Sequence, residues 1–203
     1  MIAIIDYGAG NLKSVKNALD YLKVDSVITN KPEDILKADR LILPGDGSFG
    51  FMMKNLERKL LIAPIKNFIK SGKPFLGICL GLQGLFEESE ESPGIKGLSI
   101  LKGKVVKFRN GKVPQIGWNK LICKKNVNYI KNSFQKRIFY VDYMYFVNSY
   151  YVVPKDTSII SALADYNGNF VSAVQYNNIT AVQFHPEKSG KAGLELLNRW
   201  LKC

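Results

Sequence analysis

From residue 1 to about 90 the chain alternates short apolar runs with segments whose apolar residues recur every three or four positions. Residues 2–6 form a strand candidate. The stretch NLKSVKNALDYLK then puts Leu12, Val15, Leu19 and Leu22 on one helical face, with Asn11 as its N-cap. DSVIT, RLIL and PFLGI read as further strands. KPEDILKA, residues 51–71 and LGLQGLFEES read as helices, with Pro32 in a first turn and Pro64 interrupting or kinking the long segment. Strict alternation implies parallel strands, because parallel neighbours need a crossover, and helices that cover the sheet. Beyond residue 90 the pattern turns strand-rich: GKVVKF, NKLIC, RIFYVDYMYFVNSYYVV, TSIISALA, FVSAVQY and ITAVQF. Asn167-Gly168 and Asn177-Asn178 fit hairpin turns. The closing segment KAGLELLNRWLK is a helix with Leu194, Leu197 and Leu201 on one face. The expected fold is α/β, a mostly parallel central sheet with flanking helices plus an antiparallel, strand-rich C-terminal half, in a single domain over residues 1–203.

At 203 residues, 46% hydrophobic and 23% charged, the chain sits in the globular range and is long enough for one substantial core. Its first residues carry no basic leader or long apolar region, and no stretch approaches the roughly eighteen apolar residues of a membrane span, so a cytoplasmic location is expected. The three cysteines, Cys79, Cys123 and Cys203, are odd in number and far apart, which argues against a disulfide framework and against a metal site. The formal charge of +12 raises the question of nucleic acid. The lysines are mostly scattered over the polar faces of amphipathic segments. Only residues 123–137 concentrate them, with Tyr129 and Phe134 interspersed, and a solvated loop is the favoured reading over a nucleic-acid patch.

Within KPFLGICLGLQ, Cys79 has glycine two positions before and two positions after it, Gly77 and Gly81. A structural cysteine needs neither glycine. A nucleophile on a sharp strand-to-helix turn needs both, the logic of the G-x-S-x-G elbow with sulfur in place of oxygen. A base must come from elsewhere, and the chain has one histidine, His185, in TAVQFHPEKS at the end of an apolar run. Glu187, two residues on, is spaced to accept the imidazole N–H and hold the tautomer, the third role of a triad. For the developing oxyanion, the N–H of Leu80 is the first donor, and the glycine-rich LPGDGSFG turn offers a second.

The motifs GICLGLQ, LILPGDGSFG, VPQIGWN, FVNSYYV and VQFHPEKS, in this order over nearly the whole chain, resemble class I (triad) glutamine amidotransferases. Within that class, IIDYGAGNLKSV and PQIGWN resemble the glutaminase subunit of imidazole glycerol phosphate synthase. The resemblance implies a flavodoxin-like fold and hydrolysis of L-glutamine through a thioester on Cys79, with His185 as base and then acid and Glu187 orienting it. It implies an oxyanion site from the backbone of Leu80, Gly45 and Asp46, the last two after a peptide flip. Gly47, Gln83, Glu91, Asn148, Ser149 and Tyr150 would surround the substrate. Ammonia would pass to a (β/α)8-barrel cyclase in a heterodimer, contacted by Trp118, Asn119 and Lys188. No metal, no organic cofactor, no nucleic acid and no membrane is implied.

Three positions depart from the usual family pattern. Asp46 stands where a valine is usual in the oxyanion strand, Asn148 where a histidine is usual, and Gln115 where another histidine is often found. A carboxylate at Asp46 opposes a developing negative charge unless it points away or is paired. Two other readings stay open: a paralogous glutaminase serving a sugar amidotransferase of surface-glycan synthesis, and a catalytically silent scaffold that keeps the fold.

Overall fold

A computed structural model describes residues 1–123, 139–140 and 142–203. The basic stretch over residues 124–137, with Tyr129 and Phe134, lies outside the described residues, as does the beginning of RIFYV. The N-terminal half runs β1 (Ile2–Ile5), α1 (Leu12–Tyr21), β2 (Ser26–Thr29), α2 (Pro32–Lys37), β3 (Arg40–Leu43), α3 (Phe49–Arg58), α4 (Ile62–Lys70), β4 (Phe75–Ile78) and α5 (Leu80–Gln83). β1 pairs in parallel with β2 and β3, and β3 with β4, as the alternation requires. The chain continues through β5 (Glu88–Ser89), β6 (Gly103–Lys107), β7 (Gln115–Lys120), β8 (Ile122–Cys123), β9 (Tyr143–Asn148), β10 (Tyr150–Pro154), β11 (Ile160–Asp165), β12 (Asn169–Tyr176), β13 (Ile179–Val182) and α6 (Gly190–Leu201).

Among the described residues the main sheet has eleven strands, with the path β2-β1-β3-β4-β13-β12-β10-β6-β5 and β11 and β8 beside it. The last strand is the hinge of this order. β13 lies parallel to β4, Ile179 opposite Phe75 and Val182 opposite Ile78, and antiparallel to β12 on its other side. β7 and β9 form a separate two-stranded antiparallel ribbon, Gln115 opposite Asn148 through Lys120 opposite Tyr143. The two hairpin turns sit where the sequence puts them, with Asn167 and Asn177 at φ 52° and 50°, a region Asn tolerates better than most residues.

Helices cover both faces. Ile35 of α2, Met52 and Leu56 of α3, and Ile65 and Phe68 of α4 pack into one cluster with Leu41, Leu43 and Phe75. Val15 and Leu19 of α1 and Leu196, Leu197 and Trp200 of α6 pack on the other with Ile4, Ile42 and Leu76. Each Leu- or Phe-sized side chain so buried contributes about 1.5–3 kcal/mol of hydrophobic transfer.

Three local expectations change. The helical stretch over residues 51–71 divides at Leu60 (φ 57°), ahead of Pro64, which sits inside the first turn of α4 where a missing N–H costs nothing. The segment after Cys79 keeps a single helical turn, because from Gly84 the backbone passes over Met52 and bonds to Leu98. In α6 the core face is Gly193, Leu196, Leu197 and Trp200, with Leu194 and Leu201 only half-buried. Gly193 sets that face: a Cβ there would stand 1.8 Å from the Pro186 carbonyl oxygen.

Gly81 is similarly enclosed, with an added Cβ 1.9 Å from the Leu43 carbonyl oxygen. Gly81→Ala is therefore expected to lower the unfolding free energy by about 2 kcal/mol or more, as overpacking against backbone does. Urea denaturation measures it, and an unchanged midpoint would contradict this packing.

Candidate active site

Cys79 follows β4 directly and has φ 54° and ψ −109°, a left-handed conformation that non-glycine residues rarely adopt. Holding it costs about 1–3 kcal/mol and persists only where the surroundings over-determine it. They do so here. The Cys79 N–H donates to the Val182 carbonyl at 2.7 Å, and its own carbonyl accepts from Leu82 and Gln83. At Gly77 a Cβ would lie 2.8 Å from the Gly81 carbonyl oxygen, so both flanking glycines are needed for the turn to close.

His185 comes three residues after the end of β13, which places its ring beside the sulfur. Its backbone N–H donates to the Tyr145 carbonyl at 2.9 Å, and its carbonyl accepts from the Ser189 hydroxyl at 2.6 Å. Nδ1 is 2.8 Å from Glu187 Oε1, and both side chains are buried. The other ring nitrogen, Nε2, is buried with no hydrogen-bond partner among the described residues, and Cys79 lies near enough to influence the charge of the ring. Burial is the strongest single influence on the ring and by itself lowers its pKa. The neighbouring Cys79 and the hydrogen-bonded carboxylate of Glu187 together outweigh it and hold the pKa up at about 10. A folded-state value above the ordinary 6.5 means that the stabilisation from the charged ring is complete below about pH 6.5 and is lost as pH rises through about 10.

Beside the sulfur opens a cavity of about 100 Å³ lined by Asp46, Gly47, Leu80, Gln83, Glu91, Asn148, Ser149 and Tyr150. The residues expected around a substrate are thus brought together. Glu91 gives one carboxylate oxygen to the Phe49 N–H at 2.6 Å. Asn148 donates to the Tyr150 carbonyl at 3.0 Å while its own Oδ1 is buried without a partner. Gly45 presses the glycine-rich turn against the elbow, with an added Cβ 2.5 Å from the Gly81 nitrogen. The Asp46 carboxylate is paired, accepting the Gly47 N–H at 2.9 Å. The Asp46 N–H, the expected second oxyanion donor, is held by the Tyr7 hydroxyl at 3.0 Å, and that hydroxyl donates to the Asp46 carbonyl at 3.0 Å. Burial, above all, pushes the Tyr7 phenol well above its ordinary range.

Of the expected interface residues, Trp118 and Lys188 are exposed. Asn119 lies on the opposite side of the ribbon, its amide donating to the Asp165 carbonyl and accepting from Gln115. Sequence reasoning missed Tyr7, Asn11 and Gln183. Asn11 donates to Glu187 Oε1 at 3.4 Å, and Gln183 Nε2 stands 3.5 Å from the Cys79 sulfur. Gln183 carried a signal, an amide in an otherwise apolar run, since buried amides need partners. Among the described residues no three His, Cys, Asp or Glu side chains cluster as metal ligands.

A family model described as glutamine amidotransferase class-I matches residues 3–202, and the chain belongs to that family. It is closely related to curated proteins named imidazole glycerol phosphate synthase subunit HisH. That of Pyrococcus furiosus is 50% identical, over 98% of this chain and 97% of its own. That of Methanothermobacter thermautotrophicus is 44% identical, over 100% and 98%. Solved structures share the fold at low identity. A glutamine amidotransferase crystal structure superposes with TM-score 0.77 at 17% identity, covering 100% of this chain and 98% of that one. PurLQS from Thermotoga maritima gives 0.75 at 20%, covering 99% and 97%.

With a single histidine in the chain, one imidazole resonance reports the site. In Cys79→Ala the largest raising influence is gone, so the NMR titration midpoint of His185 is expected to fall from about 10 towards its ordinary value. Glu187→Gln is expected to lower it as well. Midpoints equal to wild type in both would mean that the three groups do not interact.

Proposed function

We propose that this chain, as one amidotransferase domain, hydrolyses L-glutamine to glutamate and ammonia and passes the ammonia to a barrel cyclase that makes imidazole glycerol phosphate in histidine biosynthesis. The observation that carries the reading is the grouping of Glu187, His185 and Cys79 at the adjoining ends of β4 and β13, beside a cavity lined by Gln83, Glu91, Asn148, Ser149 and Tyr150. The relatives named HisH, matched over essentially their full length, support the pathway. Sulfur attacks the side-chain amide carbon, His185 gives its proton to the leaving nitrogen, and a γ-glutamyl thioester remains. Water then attacks, His185 takes its proton, and the electron pair of the broken C–S bond returns to sulfur. The Leu80 N–H meets the oxyanion, joined by the Gly45–Asp46 backbone once the Asp46 peptide leaves Tyr7. Glu91 and the backbone of Gly47 and of Asn148 to Tyr150, with Gln83, hold the amino-acid end of the substrate.

The outer face of the β7–β9 ribbon suits the cyclase. Ile116, Trp118 and Tyr143 are 64%, 54% and 53% exposed, and Tyr145 stacks edge-on against Trp118 at 5.9 Å. Large exposed apolar groups gathered on one face mark an association surface. The same ribbon reaches the chemistry from within, since Tyr145 holds the His185 backbone and the Val147 carbonyl lies 4.0 Å from the sulfur. A partner seated on the face is therefore one strand away from the nucleophile.

Glutamine hydrolysis is measured for the chain alone and with a barrel cyclase and its nucleotide ligand, with Cys79→Ala as blank. Activity that rises with the cyclase and vanishes in the variant is expected. Trp118→Ala is expected to weaken the complex by about tenfold or more, as loss of an interface anchor does. Activity that responds only to a sugar amidotransferase would overturn the pathway, and silence with both partners would favour a scaffold.

A further inference from the structure

Gln183 is fully buried, one residue beyond β13 and two before His185. Among the described residues its side chain makes two polar contacts. Oε1 accepts from Gln83 Nε2 at 3.0 Å, and Nε2 stands 3.5 Å from the Cys79 sulfur. The orientation of both amides is fixed by one backbone group. The Tyr150 carbonyl, 3.1 Å from Gln83, accepts and never donates, so the Gln83 group facing it is the NH2. The same NH2 faces Gln183, which must answer with its oxygen, and that leaves the Gln183 NH2 pointing at the sulfur. The chain of amides is therefore directional: Tyr150 carbonyl, Gln83, Gln183, Cys79.

We propose that Gln183 is a further catalytic residue, which donates an N–H to the Cys79 sulfur and stabilises it as the thiolate leaving group when the thioester is hydrolysed. The inference rests on the glutaminase reading. The physical reason is a difference between two states of the sulfur. A thiolate is a strong acceptor for an N–H, and the sulfur of a thioester is a poor one, so the contact gains strength as the C–S bond breaks. In that step water oxygen bonds to the acyl carbon, the C–S pair goes to sulfur, and the water proton goes to His185. His185 attends to the proton while Gln183 attends to the electron pair. Because Gln83 also lines the cavity, the group that senses the substrate end is the one that aims the donor.

Gln183→Met keeps the length of the side chain and removes the donor. Steady-state kinetics with glutamine and cyclase, and acid-quench trapping of the thioester with radiolabelled glutamine, read its effect. Slower thioester hydrolysis is expected to lower kcat and KM together by about tenfold, leave kcat/KM near wild type, and raise the fraction of chains carrying thioester. Gln183→Glu, which keeps an acceptor for Gln83 and puts a carboxylate against the sulfur, is the second variant and is expected to change in the same direction by more. A lower kcat with unchanged KM, a fall in trapped thioester, or wild-type behaviour in both variants overturns the proposal. A burst assay with p-nitrophenyl acetate on the chain alone separates the two readings. If wild type turns over the ester through Cys79 but no glutamine with any partner, the glutaminase reading has failed. The Gln183 contact then stands or falls on whether ester deacylation slows in Gln183→Met.

Discussion

The parallel pairing of β13 with β4 is the constraint on which the rest depends. Its register, Val182 opposite Ile78, ends both strands at the same level. Cys79 then leaves one strand as Gln183 and His185 leave the other, and the 2.7 Å bond from the Cys79 N–H to Val182 ties the two ends together. A slip of one residue along this ladder would move the imidazole away from the sulfur and turn Gln183 to the opposite face. The sheet thus sets the relative positions of Cys79, Gln183 and His185 through backbone hydrogen bonds. It is also the usual place for a site in such folds, outside the carboxyl ends of parallel strands.

Around that register the protein holds one strained residue and encloses it. Cys79 adopts a conformation that favours glycine, and the glycines on either side absorb the consequences: Gly77 and Gly81 let the elbow close, and Gly45 lets the neighbouring turn pack on it. The strain is stabilised elsewhere, by two apolar clusters on opposite faces of the sheet. The buried Cys79 therefore sits on a packed base, while the Asp46 turn beside it is exposed and bonded through Tyr7 and its own carboxylate. The elbow and the Asp46 turn follow different strands, β4 and β3, so each is set by its own part of the sheet.

The site is also polar and buried, which makes each unpaired group costly and each pairing informative. The ring of His185 is kept cationic against its burial by charge on two sides. The Gln83 amide donates both to Gln183 and to the Tyr150 carbonyl. The β7–β9 ribbon joins this network through the Tyr145 backbone carbonyl and the inward Asn148 side chain, and shows aromatic residues on its outer side. One short ribbon therefore links the proposed association surface to the groups around Cys79.

The sequence alone determined the parallel half of the sheet, since amphipathic and apolar periods are local properties of the chain. It likewise marked Cys79, because a cysteine between two glycines is a local signature, and it marked His185 and Glu187 by rarity and spacing. The family pattern of motifs pointed to the same residues. Tertiary structure decided where β13 inserts, and hence that residues about a hundred positions apart share one site. It also decided that Leu60 and not Pro64 divides the helical stretch, that Gly193 sets the core face of α6, and that the Asp46 carboxylate is turned onto its own chain. Tyr7, Asn11 and Gln183 belong to this second group. Their roles depend on hydrogen bonds to groups remote in sequence, and a local pattern cannot encode a partner that only folding brings within 3.5 Å.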